Sequence, residues 1–261
     1  MKSFNKLVKT IAVSTLGLGI ATGSISEAQA TSLVPTQEGE IKTTNLGCLD
    51  AGTINCIDTT DGSQVPFTYA VTSLDFDGDG GFDESRLFAD DRNTANPELV
   101  PFGITFLGED EGTNPEMEQM WFRPVAFKDG EAFEDGRLEV GLFEFDFLGK
   151  TASQVKLDFF DVEDDNFTGI IKVNGVQLEG EALQELLLPG GENGNVQSLV
   201  LNDVQNFTVQ LCIVEKSQFP SVYGVALAVS VPESENVIGL SGLAVAGVLT
   251  LKRRKKASQK A

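Results

Sequence analysis

The chain contains a series of short apolar and β-branched runs, which Gly, Asp, Asn and Pro separate from one another. Runs of this length with such punctuation are typical of β-strands joined by turns. The predicted strands lie near Phe67–Leu74, Gly103–Leu107, Met120–Phe127, Leu138–Phe147, Val155–Val162, Gly169–Val176, Val196–Leu201, Phe207–Val214 and Val222–Val231. One segment, Glu179–Leu188, predicts a helix that Pro189 ends. Many strands and one helix predict a mainly β fold, a two-sheet β-sandwich with jelly-roll-like topology.

Two of the predicted strands change the phase of their apolar alternation. In Leu138–Phe147 the change falls between Leu142 and Phe143, and in Val155–Val162 it falls between Phe159 and Phe160. Because successive side chains of a strand point to opposite faces, a phase change indicates either a β-bulge or burial of both faces.

The N-terminus predicts a secretory signal peptide over residues 1–30. Lys2, Lys6 and Lys9 precede the apolar run Ile11–Ala21, and Ala28-Gln29-Ala30 supplies a small-x-small cleavage site. This order of charge, apolar run and small residues is that of an export signal which signal peptidase removes. The mature chain is expected to start at Thr31.

The C-terminus carries an apolar run, Val237–Leu251, with the basic cluster Lys252–Lys256 directly behind it. This order predicts a transmembrane helix whose basic end stays on the cytoplasmic side. Fifteen residues rise only about 22 Å along a helix, less than the ~30 Å hydrocarbon core, and snorkelling basic side chains can cover the difference.

Val231-Pro232-Glu233, the apolar run and the basic cluster with Arg253 and Arg254 together resemble the PEP-CTERM sorting signal of Gram-negative bacteria. Ser234 stands where the second proline is usual. The resemblance covers residues 231–256 and leaves 257–261 as a tail. It implies recognition by an exosortase-type processing protease, cleavage near Pro232-Glu233, and delivery to the cell surface or an exopolysaccharide matrix. A plain membrane anchor is the alternative.

A second resemblance lies inside the domain, at Leu138-Glu139-Val140-Gly141-Leu142-Phe143. This segment is similar to the signature of the LEVG group of PEP-CTERM proteins. It implies the same export route and names no reaction.

Charge and composition narrow the classes of function. The chain has 19 basic and 39 acidic residues; the signal peptide holds three lysines and Glu27, and the part after Glu233 holds six basic residues and Glu235. The remaining 10 basic and 37 acidic residues give a formal charge of −27, which repels nucleic acid and anionic lipid. Histidine is absent, so catalysis by an imidazole group and metal binding through histidine are excluded. No enzymatic activity is expected.

The cysteines lie unevenly along the mature chain. Cys48 and Cys56 are eight residues apart, and in an exported protein a local disulfide between them is expected. Cys212 lies in a predicted strand and is expected to be a packed thiol. Residues 31–64 are polar and lack periodicity, which predicts a loose N-terminal arm ahead of a β-sandwich ectodomain over 65–230.

The segment Asp75–Glu84 predicts a calcium site. Asp75, Asp77 and Asp79 alternate along a glycine-rich loop, and Asp83 or Glu84 can close the cage of six to eight oxygens that Ca²⁺ requires. Arg86 stands where an EF-hand has its bidentate Glu, so the loop is not an EF-hand. It resembles the shorter Asp-x-Asp-x-Asp-Gly loops of secreted calcium-binding proteins. The alternative is an acidic turn that binds nothing specifically.

Trp121, the only tryptophan, has two interpretations: a platform on which a sugar ring stacks, or a core side chain. Three hypotheses of function follow. The first is a non-catalytic, calcium-stabilised surface or matrix protein associated with exopolysaccharide. The second is a carbohydrate-binding or adhesive module with a specific glycan ligand. The third and weakest is a polysaccharide-active enzyme, for which no catalytic constellation stands out.

Overall fold

A computed structural model describes residues 30–76, 84–91, 96–104, 106, 119–128, 130–132, 140–192, 194–212 and 226–232. These residues form β1 (Ala30–Ser32), β2 (Gly39–Ile41), β3 (Cys56–Ile57), β4 (Ala70–Leu74), β5 (Glu84–Asp90), β6 (Trp121–Lys128), β7 (Glu131–Ala132), β8 (Gly141–Asp146), β9 (Ala152–Phe160), β10 (Gly169–Val173), β11 (Val176–Gln177), α1 (Glu181–Gln184), β12 (Val196–Val204), β13 (Asn206–Leu211) and β14 (Ala226–Pro232). The mainly β class expected from the sequence is confirmed.

The strands form two sheets, also as expected. The larger sheet has the order β12-β9-β14-β6-β5-β2-β3, with β1 beside β14 and β7 beside β6. The smaller sheet has the order β11-β10-β13-β8-β4. All of these pairs are antiparallel except β2–β3, which is parallel.

Aromatic side chains of both sheets meet in the core between them. Phe145 of β8 stacks on Phe207 of β13, with ring centroids 5.0 Å apart. Phe145 also contacts Phe122 of β6, in the other sheet, at 5.7 Å. All three side chains are buried. Burial of each such ring contributes about 1.5–3 kcal/mol, so this contact is a main source of the attraction between the sheets.

The phase change in β9 has a structural explanation. Phe159 points into the main core, whereas Phe160 is buried on the opposite side of the sheet against Trp121, with ring centroids 5.1 Å apart. β9 pairs with β12 in one continuous register from Ala152 to Phe160, and only Asp203 of β12 is left out of it. Both faces are therefore buried at this end of β9, and a bulge is not needed.

Several expectations about single elements differ from the structure. Residues 31–64 are not a loose arm, because they supply most of β1 together with β2 and β3 and bury Ile41 and Ile57. The strand expected at Gly103–Leu107 is not formed at its described residues, Gly103, Ile104 and Phe106, and Gly103 instead ends a 3₁₀ turn, Val100–Phe102, with φ 74°. A left-handed φ of this kind is adopted readily by glycine.

The predicted helix Glu179–Leu188 is much shorter than expected, since α1 has four residues. The backbone after it pairs with β10 rather than continuing the helix: Ile170 N donates to Leu186 O at 2.9 Å, and Leu188 N donates to Thr168 O at 2.9 Å. The predicted strand Gly169–Val176 is divided by the turn Asn174-Gly175, where both φ angles are positive. An Asn-Gly pair favours this hairpin geometry.

Within the described residues, none of the helices is long and apolar enough to cross a membrane. The predicted signal peptide up to Gln29, and the apolar run with its basic cluster after Pro232, lie outside the described residues.

Candidate functional site

The described residues bring three carboxylates together at one end of β5. Glu38 precedes β2 and Asp91 follows β5, and these strands pair antiparallel with Gly39 opposite Ala89. As a result, one carboxylate oxygen from each of Glu38, Asp90 and Asp91 lies within 4.8 Å of the others. Oxygen clusters of this kind suit hard cations such as Ca²⁺. Sequence reasoning missed this cluster, because Glu38 meets the two aspartates only through the pairing of β2 with β5.

Asp90 is already held by protein partners. Its side chain is fully buried, and its carboxylate accepts hydrogen bonds from Arg123 Nη1 at 3.0 Å and Asn96 Nδ2 at 2.8 Å. Arg123 lies over the ring of Phe106, 4.4 Å from its centroid. The Arg123 charge balances Asp90 inside the fold, which is the arrangement that buried charges require. Asp90 therefore has a structural role whether or not a cation binds beside it.

A second buried ion pair connects β2 with β5. Arg86 Nη1 lies 2.9 Å from Glu40 Oε1, and the Glu40 side chain is fully buried. Glu40 also accepts a hydrogen bond from Leu49 N at 2.7 Å. Burial raises the pKa of Glu40 above its ordinary value of 4.5, and the bonds from Leu49 and Arg86 oppose that shift. The pair joins β2 to β5, and the hydrogen bond from Leu49 N attaches the segment after β2 to Glu40.

The predicted calcium loop is described only at its two ends. Asp75 follows β4 and Glu84 begins β5; Asp77, Asp79 and Asp83 lie outside the described residues. The ends are held close together, because Ser73 Oγ donates to Ser85 O at 2.8 Å and accepts from Ser85 N at 3.1 Å. Glu84 lies 3.5 Å from Arg86 Nη2, a contact that competes with its predicted part in closing a cation cage.

The disulfide predicted by spacing is present. Cys48 and Cys56 are bonded to each other, and Cys212 is a buried thiol. Cys56 lies in β3, so the bond connects the segment after β2 to the edge of the larger sheet.

Trp121 is a core residue. Its side chain is 2% exposed and packs on Phe160. The interpretation of Trp121 as a sugar-stacking platform is therefore wrong, since a ring can stack only on an exposed aromatic face.

The predicted sorting motif begins inside the larger sheet. Val231 and Pro232 are the last two residues of β14, and Glu233, Arg253 and Arg254 lie outside the described residues. Ala30, the last residue of the predicted signal peptide, lies directly opposite Pro232 in the β1–β14 pair. The two predicted cleavage points are thus neighbours in space although they are about two hundred residues apart.

Comparison with models of protein families, with curated proteins and with solved structures finds no match for this chain.

Proposed function

We propose that this chain is an exported, non-catalytic protein of the bacterial cell surface or extracellular matrix. Signal peptidase removes residues 1–30, and an exosortase-type protease cuts near Pro232-Glu233. The C-terminal helix anchors the chain in the membrane until that cut is made. The mature domain, a jelly-roll-like sandwich stabilised by Ca²⁺ in the loop from Asp75 to Glu84, then associates with exopolysaccharide.

The observation that carries this proposal is the pairing of the two strands that lie next to the predicted cuts. Ala30 of β1 lies opposite Pro232 of β14 in an antiparallel pair. Cuts at the two predicted points would therefore leave the described sheets intact apart from Ala30. A domain whose two ends emerge side by side at its surface suits removal of both flanking segments.

Two further observations agree with an extracellular location. The Cys48–Cys56 disulfide is of the kind that persists in oxidising compartments. The formal charge of −27 between Thr31 and Glu233 keeps the domain soluble and attracts divalent cations.

The second hypothesis is a carbohydrate-binding module. Trp121, the residue named for stacking on a sugar ring, is buried and does not support it. A glycan array with and without Ca²⁺ distinguishes a specific sugar ligand from general retention in a polysaccharide matrix. Release of reducing ends from cell-derived polysaccharide would support the third hypothesis, an enzyme.

The proposal is tested by sequencing both ends of the protein made in a bacterium that carries an exosortase. The expected mature form begins at or near Thr31 and lacks Lys252–Lys256. The double variant Pro232→Ala, Glu233→Ala should stay membrane-bound with its basic cluster intact. A mature wild-type protein that still carries the cluster would show that the segment is a plain anchor.

The chain offers a matched control for this variant. Pro97-Glu98 is a second Pro-Glu pair, exposed in the turn before the 3₁₀ segment. Replacing both of these residues by alanine changes the composition in the same way and should leave C-terminal processing unchanged.

A further inference from the structure

The strand orders of the two described sheets have four end strands, and the edges of three of these strands are blunted. β3 and β11, at one end of each sheet, have two residues each. β4, at the other end of the smaller sheet, is covered on its outer side. There Thr44 N donates to Val71 O at 2.8 Å, and Asn45 exchanges hydrogen bonds with Ser73. Short strands and covering loops are the usual protection against pairing between molecules.

The fourth edge, β12, is long and lacks that protection. It has nine residues, and its segment Val196–Asn202 pairs regularly with β9 on its inner side. In the part of the chain that the structure describes, no backbone hydrogen bond reaches the outer side of this segment. The open edge ends at Asp203, which has a positive φ of 53° and whose carbonyl accepts from Asn174 Nδ2 at 2.9 Å.

The side chains along this open edge suit close approach by another chain. Val196-Gln197-Ser198-Leu199-Val200-Leu201-Asn202 contains no charged residue, proline or glycine. Val196 and Val200 are 46% and 48% exposed. On β9 beside them, Lys156 and Asp158 pair at 2.7 Å and so offset each other's charge. The edge is a neutral, partly apolar strip on a strongly acidic domain.

We propose that the outer edge of β12, residues 196–202, is a self-association surface that pairs antiparallel with the same edge of a second copy. Identical strands related by a two-fold axis present the same residues to each other twice, so each unpaired donor can face an acceptor. The two larger sheets then join into one continuous sheet. The lack of charge along residues 196–202 favours a second copy as the partner. A second copy is itself strongly acidic, and at this edge the two copies can meet without opposed carboxylates.

The extent of the open edge also fixes the register. All seven residues pair only when the two-fold axis passes beside Leu199. Val196 then lies opposite Asn202 of the second copy, and Ser198 lies opposite Val200 of the second copy. No charged side chain faces another in this register. The proposal is independent of export and processing, since it uses only the described sheet.

The first test is the mass of the full-length chain, purified in detergent and measured by sedimentation. Wild type should be a dimer. The variant Ser198→Lys, Val200→Lys should be a monomer with an unchanged near-ultraviolet circular dichroism spectrum, because opposed lysines repel and charge on an edge prevents pairing. The matched control is Val176→Lys on the short strand β11, where the valine is 64% exposed; it should stay a dimer.

The second test is the register. Co-produced chains that carry Ser198→Cys and Val200→Cys, respectively, should form an interchain disulfide, since directly opposed Cα atoms lie about 4.5–5.5 Å apart, within the range that a disulfide spans. Ser198→Cys co-produced with Val196→Cys should not. A monomeric wild type would overturn the proposal. The alternative partner for this edge would then be an extended peptide of another protein. A dimer that the two lysines do not disrupt would overturn it as well.

Discussion

Thr31 and Val231 lie directly opposite each other in the antiparallel pair formed by β1 and β14. Val231 is 1% exposed, so the apolar residue of the proposed sorting motif is inside the folded domain. The pair is extended by Leu33 N, which donates to Val229 O at 2.8 Å, and it is fixed by Tyr69 Oη, which donates to Leu33 O at 2.6 Å. The folded domain therefore withholds part of the motif that a processing enzyme would read.

We expect C-terminal processing to require that the end of β14 is not yet paired with β1. Recognition of an extended segment through its main chain needs an open strand edge, and β1 occupies one edge here. The variant Ser32→Cys, Ser230→Cys places two opposed cysteines that lock the pair once oxidised. The fraction of chains that keep Lys252–Lys256, measured by intact mass, should rise several-fold.

The two single-cysteine variants are the controls, because each changes one side chain without a cross-link. If wild type is processed and the locked variant is processed equally well, the motif is read from the folded domain. If wild type itself is not processed, it is the proposed function that fails.

Calcium is expected to stabilise the domain through the loop from Asp75 to Glu84. Four aspartates in one loop repel one another in a domain that is already acidic, and a bound divalent ion reverses that repulsion. Affinity should be on the order of 10⁻⁴–10⁻³ M, as in extracellular modules. The thermal midpoint should therefore rise with millimolar Ca²⁺ by more than with Na⁺ of equal ionic strength.

Two pairs of substitutions assign this calcium effect to a place. Asp77→Asn with Asp79→Asn should remove most of the calcium-specific rise. Glu38→Gln with Asp91→Asn, in the second carboxylate cluster, is the matched control that leaves Asp90 and its Arg123 partner intact. Loss of the rise in the control alone would move the site to that cluster. A wild-type rise that Na⁺ reproduces would show general screening.

Glu40 should give the stability of the domain a measurable pH dependence. Its pKa is raised in the folded state by burial, so the folded protein binds the proton more tightly than the unfolded chain does. This contribution is fully present below the unfolded pKa and is lost as pH rises through the folded pKa. The unfolding free energy of wild type, minus that of Glu40→Gln, should therefore fall in urea titrations as the pH rises above the ordinary pKa of 4.5.

Asp50 provides the control of opposite sign for Glu40. Hydrogen bonds from Gly52 N and Thr53 Oγ1 lower the pKa of this exposed carboxyl below its ordinary value of 3.8. Its contribution is present above the unfolded pKa and is lost as pH falls, so the difference between wild type and Asp50→Asn should rise with pH. Equal signs for the two variants would contradict the assignment of the Glu40 effect to burial.

Trp121 should behave as a buried reporter. Its fluorescence should be blue-shifted and protected from acrylamide, and polysaccharides should leave it unchanged, because its ring packs on Phe160. Phe160→Ala should lower the unfolding free energy by about 3–5 kcal/mol, the usual cost of emptying a buried aromatic site. Quenching of Trp121 by a sugar in the wild-type protein would contradict the core assignment.

Much of the fold could be predicted because strand periodicity is local. The alternation of Phe207, Val209 and Leu211 corresponds to the buried face of β13, and the phase change at Phe160 indicates a second buried face. Other elements were not predictable in this way. The leucines after α1 favour a longer helix, but their backbone groups form hydrogen bonds with β10 and the residue before it. The local sequence pattern gives no information about this distant partner.

The candidate sites also differ in whether their residues are close together or far apart in the chain. The spacing of Cys48 and Cys56 indicates their disulfide because a short loop closes easily, and all the cation ligands predicted for Asp75 to Glu84 lie within ten residues. By contrast, the Glu38–Asp90–Asp91 cluster and the Glu40–Arg86 pair depend on the pairing of β2 with β5, more than forty residues further on.

The β class, the local disulfide and the segments that predict export can all be predicted without a structure, since each rests on residues close together in the chain. By contrast, it is the folded arrangement that shows strands of the larger sheet within residues 31–64, the burial of Val231 opposite Thr31, and the open edge of β12. The physical reason is that strand order and burial follow from hydrogen bonds and packing between distant segments, and these contacts form only when the sheets assemble.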